Sequence, residues 1–121
     1  MNRQQTEILA LAIENEAADA ARLSNVKSAL AMKAQALIGE LNLSPTSTVA
    51  FALTFAEQAE IATAEWVAKK FKANLTAGAM ADLLEMQGEI LIKDFVQQLG
   101  QARKHALVRK AEQRQGVTRH V

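Results

Sequence analysis

The chain contains no cysteine and no tyrosine, and among its 121 residues there are only one proline, five glycines and two histidines. Each shortage excludes something. Without cysteine there are no disulfides, no zinc–thiolate sites and no thiol nucleophile, a composition that fits a reducing compartment. Scarce glycine and proline argue against a strand-and-turn architecture. No stretch approaches the roughly 18 consecutive apolar residues that a membrane-spanning helix requires. Met1 to Thr6 is polar, and Glu7, Glu14 and Glu16 interrupt the apolar run that follows, so no signal peptide is expected and a soluble, cytoplasmic protein is. Aromatic residues make up 4% of the chain, which leaves few large side chains for a core.

What the chain has instead is alanine, 24 residues of it. Alanine is the strongest helix former but adds little burial per residue. Half the residues count as hydrophobic, yet the core they make must be thin, with helices in close approach. One domain is expected over residues 1–115, followed by a flexible tail over residues 116–121.

Periodicity predicts an all-α bundle of three long amphipathic helices with short connections. The first spans about Gln4 to Leu41, with Leu9, Leu23, Leu30 and Leu37 on one seven-residue register. Glu16 and Lys27 fall on the same face, which marks an imperfect bundle seam. Ser24-Asn25 competes for backbone hydrogen bonds and could divide this helix, giving four in all. Asn42 can close it; Ser44 can cap the second helix, with Pro45 at its first position. That second helix, to about Ala73, carries two apolar stripes: Phe51, Phe55, Ala59, Ala62 and Trp66 on one side, and Leu53, Val67 and Phe71 on another. Two stripes predict a central helix covered from both sides. Asn74 or Thr76 then caps the third helix, which runs to about Arg114. Its main stripe is Met80, Leu84, Leu91, Phe95, Leu99, Ala102 and Ala106, with Gly88 allowing a neighbour to come close.

Catalytic constellations are lacking. Asp82, Glu85 and Glu89 share a helix side, and Glu57 and Glu60 make a second acidic pair. Di-metal bundles build their sites from such carboxylates together with Glu-x-x-His pairs, and no such pair occurs here. The histidines, His105 and His120, both lie near the C-terminus, so no Ser–His–acid frame is expected. No glycine-rich phosphate loop is present. The expectation is a non-enzymatic protein with no catalytic residue, no cofactor and no metal.

Charge is near balance overall but unevenly spread. From Arg103 onward the chain holds Arg103, Lys104, Arg109, Lys110, Arg114 and Arg119 against Glu112 alone. Such a basic helix end complements the negative C-terminal dipole, and it is also a candidate anion or nucleic-acid contact. Trp66, followed by Lys69, Lys70 and Lys72, has the composition of a stacking platform beside cations, although a tryptophan on an aromatic-rich helix belongs more often to a core.

The stretch Asn74 to Lys104, NLTAGAMADLLEMQGEILIKDFVQQLGQARK, resembles the C-terminal helical region of phasins, the proteins that coat polyhydroxyalkanoate granules. Leu84-Glu85-Met86-Gln87 and Phe95 are the matching positions. About a quarter of the chain is covered, the preceding linker is shorter than is usual in that family, and the first helix has no clear counterpart there. The resemblance implies a non-catalytic, oligomerising protein that coats an apolar particle surface through its apolar stripes, here Met80, Leu84, Leu91, Phe95 and Leu99. The alternative is a small helical subunit or adaptor of a nucleoprotein or other macromolecular assembly, contacting nucleic acid or a protein partner through Arg103, Lys104, Arg109, Lys110 and Arg114. In either case a homo-oligomer, a dimer or tetramer, is expected.

Overall fold

Each helix begins where a side chain can satisfy the free N–H groups of a first turn. The computed structural model describes residues 2–119, with side chains described through residue 115. Helix α1 is Arg3–Gly39, α2 is Pro45–Phe71 and α3 is Ala77–Arg119. At α1, the Gln5 N–H donates to Asn2 Oδ1 at 2.8 Å, while the Asn2 N–H donates back to Gln5 Oε1 at 3.1 Å. This reciprocal cap was not foreseen from the sequence. At α2 the Ser47 N–H donates to Ser44 Oγ at 3.1 Å, with Pro45 in the first turn, as expected. At α3 the Ala79 N–H donates to Thr76 Oγ1 at 3.2 Å, so Thr76 rather than Asn74 is the cap.

The expected all-α bundle of three helices is what forms, and every pair of helices is in contact. α1 is continuous through Ser24 and Asn25, so the four-helix alternative does not hold. Both side chains are exposed, while Leu23 and Val26 on either side pack inward and keep the turn helical. Among the described residues two adopt left-handed backbone at the helix ends: Asn42, with φ 59°, and Lys72, with φ 52°. The backbone of α3 is helical through Arg119, beyond the expected end at Arg114. The side chains of residues 116–119, and all of His120 and Val121, lie outside the described residues, and the flexible tail expected over 116–121 falls there.

One cluster forms the core. Val26, Leu30, Ala34 and Ile38 come from α1, Ala52, Phe55 and Ala59 from α2, and Met80, Ala81, Leu84 and Ile92 from α3. The Phe55 and Phe95 rings meet at 5.2 Å between centroids. Ile38, Leu84 and Ile92 are the largest fully buried side chains, each worth about 1.5–3 kcal/mol relative to exposure. α2 is not central, because it buries a single face. Phe55, Ala59 and Val67 are inside, whereas Phe51, Leu53, Trp66 and Phe71 are exposed.

α1 and α3 run parallel with a fixed stagger. Arg22 reaches Asp82 and Glu85, Leu30 lies against Gly88, and Leu41 lies near Gly100. The stagger sets α3 to begin opposite Asp19. Asn2 to Ala21 contains no side chain that is even half-buried, and neither does Lys104 to Gln115. The molecule is therefore a short bundle with two bare helical arms, the start of α1 at one end and the end of α3 at the other. Its accessible surface is 9151 Å². A compact monomer of 13.1 kDa would expose about 6,400 Å².

Candidate functional site

The predicted apolar face of α3 is used up inside the bundle. Met80 and Leu84 are buried, and Leu91, Phe95 and Leu99 are half-buried against the same cluster. In the closed bundle Met80 and Leu84 are covered, and Leu91, Phe95 and Leu99 leave only part of their surface open. Ala102 and Ala106, expected to continue the stripe, are exposed because α1 has ended beside them.

The two acidic groups are held by cations from α1. Arg22 Nη2 lies 2.7 Å from Asp82 Oδ1 and 3.1 Å from Glu85 Oε2. Lys27 Nζ lies 2.7 Å from Glu57 Oε1 and 2.5 Å from Glu60 Oε2. This explains a charge on the α1 seam: Lys27 sits half-buried at the α1–α2 boundary with both carboxylates as acceptors. Hydrogen bonds to Glu57 first and to Glu60 second hold its ammonium above the usual lysine range, against a smaller opposing effect of burial. Among the described residues no group of three or more His, Asp and Glu side chains is placed to hold a metal ion.

Arg103, Lys104, Arg109, Lys110 and Arg114 all fall on the projecting end of α3. Arg103 is half-buried and the other four are exposed. At 100° per residue, Arg103, Lys110 and Arg114 lie along one side, with Lys104 and Arg109 off it. Lys104, Arg109 and Lys110 form no salt bridge among the described residues. The structure thus gathers the candidate anion contacts on one arm without converging them on a pocket.

Trp66 is a surface residue, 47% exposed, which corrects its assignment to the core. It belongs to the inward stripe of α2 but lies near the end of the bundle. Phe71 packs edge-on against it at 5.7 Å, and Lys70 Nζ sits 5.2 Å from the ring centroid. The second α2 stripe is split: Val67 is buried, whereas Leu53 is 58% and Phe71 61% exposed, with Val49 and Ile61 exposed on other turns. Leu53 borders a groove of about 500 Å³ between α1 and α2 that Ala20, Leu23, Ala31 and Ala56 help to line.

Sequence reasoning missed the start of α1 as a surface. Ile8 is 61% and Ile13 66% exposed, and Leu9 and Leu11 are exposed beside them. Leu9 shares a register with the buried Leu30, so periodicity alone assigns both to the seam. The signal that separates them is length. An α2 of 27 residues reaches about 40 Å, too short to cover an α1 of 37 residues and an α3 of 43 that are staggered past one another. No helix among the described residues is long and apolar enough to cross a membrane. No protein-family model, no curated protein and no solved structure matches the chain.

Proposed function

We propose that this chain is a non-enzymatic helical interaction protein that lies against an apolar surface, in the manner the phasin resemblance implies. One observation carries the reading: the bundle covers one face of α2 and leaves several of its large apolar side chains exposed. Val49, Leu53, Ile61 and Phe71 remain in water beside Trp66. A soluble monomer seldom leaves so many large apolar side chains of one helix uncovered without a partner for them. Lys70 lies over the Trp66 ring and Lys69 precedes it, cations on long apolar stems, a composition suited to the boundary of an apolar particle.

Binding of the purified chain to polymer or lipid-coated apolar beads tests this. The bound fraction is expected to change little with salt, and Leu53→Ser with Phe71→Ser is expected to reduce it at least tenfold while leaving helicity intact. Equal binding by that variant would refute the reading. A second reading, contact with nucleic acid through Lys104, Arg109 and Lys110, is favoured by the exposure of these cations without an ion-pair partner among the described residues. Phosphate contacts weaken steeply with salt, so elution of nucleic acid at moderate salt would favour this reading over the coating one.

A further inference from the structure

The two bare arms carry opposite charge. On the α1 arm the acids Glu7, Glu14 and Glu16 face Arg3 as the only cation. On the α3 arm Lys104, Arg109 and Lys110 stand against Glu112. The arms are also matched in length, about 24 Å for the helical residues before Asp19 and about 28 Å for those after Gly100, at 1.5 Å per residue. Each bears exposed apolar side chains: Ile8, Leu9 and Ile13 on the first, Leu107 and Val108 on the second.

The stagger leaves each arm with a vacant flank. Inside the bundle α3 packs along α1 from Asp19 opposite Gly78 to Leu41 opposite Gly100. Beyond Gly100 α3 has no α1 to pack on, and before Asp19 α1 has no α3. We propose that a second copy of the chain fills both flanks, the acidic α1 arm of each copy packing on the basic α3 arm of the other. The arms lie at opposite ends of the bundle, so two copies related by a two-fold axis across it make the contact twice and close. A head-to-tail stack would leave one acidic and one basic arm unpaired at its ends, whereas the two-fold pair leaves none. Pairing like arms instead would oppose like charges. The area fits as well: the chain exposes about 2,800 Å² more than a compact monomer of its mass, and a standard interface takes about 800 Å² from each partner.

This inference rests on reading the chain as a self-associating interaction protein, and it needs no apolar particle. Its test is the solution mass of the full chain alone, so failure of bead binding would leave it standing. Sedimentation equilibrium at low salt should give a dimer, twice 13.1 kDa, that weakens as salt screens the arms. Glu7→Lys, Glu14→Lys and Glu16→Lys together should give a monomer, as should Lys104→Glu, Arg109→Glu and Lys110→Glu together. Mixing the two variants in equal amounts should restore a dimer, because both arm contacts again join opposite charges. Circular dichroism should show wild-type helicity in both. If either variant loses helicity, the salt response of the wild type decides. A wild-type monomer, a dimer indifferent to salt, a dimer that both variants retain, or species larger than a dimer would each overturn the two-fold arm exchange. So would a basic arm occupied by nucleic acid while the chain remains monomeric.

Discussion

A methyl group of Leu30 stands where a side chain at Gly88 would begin. Leu30 is 5% exposed and belongs to the core, so withdrawing that methyl gives up core packing. Gly88 thus gives up helix propensity for the closest approach between α1 and α3.

Gly88→Ala should lower stability by about 1 kcal/mol. The gain in propensity, about 1 kcal/mol, is outweighed by overpacking, which costs about 1–3 kcal/mol. Gly39 has nothing within 4 Å of an added Cβ, and Gly39→Ala should stabilise by about 0.5 kcal/mol. Urea denaturation of the two variants side by side checks both signs.

Leu30 and Leu9 share a register but not an environment. Leu30→Ala should cost about 2–5 kcal/mol, as buried leucines do. Leu9→Ala should stay within about 0.5 kcal/mol when measured on dilute monomer. Similar losses at both sites would show that the α1 arm is packed.

The Lys27 ammonium is held above its ordinary value of 10.5 by Glu57 and Glu60. Because the folded value is the higher one, the contribution is fully present below pH 10.5 and fades as pH rises through the folded value. Lys27→Met should lose about 1 kcal/mol near neutral pH, from two charge-assisted hydrogen bonds discounted for the exposure of Glu57. It should also lack the wild type's decline in thermal midpoint on the alkaline side. A decline of equal size in the variant would assign it to other groups.

Lys72 closes α2 in left-handed backbone, with φ 52°. A side chain there costs about 1–2 kcal/mol that glycine avoids. Lys72→Gly should therefore raise the thermal midpoint by about 4 °C, read by calorimetry.

Helix identity and part of the capping, though not the Asn2–Gln5 box, were legible in the sequence because they depend on neighbours along the chain. Ser44-Pro45 and Thr76 mark two starts, and Asn42 closes the first loop, all through local hydrogen bonding and backbone preference. Burial was less legible, since periodicity tells which side of a helix faces inward but not whether anything is there. Leu9, Trp66 and Leu53 each fit an apolar stripe, and each lies where the neighbouring helix has ended or where no fourth helix exists. Ile92, fully buried, lies one residue outside the α3 stripe that periodicity picks out. The Ser24-Asn25 break failed for the opposite reason, as packing of Leu23 and Val26 overrides a weak local preference.

The parallel seam between α1 and α3 also fixes the order in which the chain can mature. Leu30 and Gly88 are separated by about sixty residues, among the slowest kinds of contact for a small helical domain to establish. During synthesis α1 and α2 emerge first, with Val26, Leu30 and Ile38 still lacking Leu84 and Ile92. The nascent hairpin therefore displays half a core to solvent or to a chaperone until α3 is released, and only then can the bundle close.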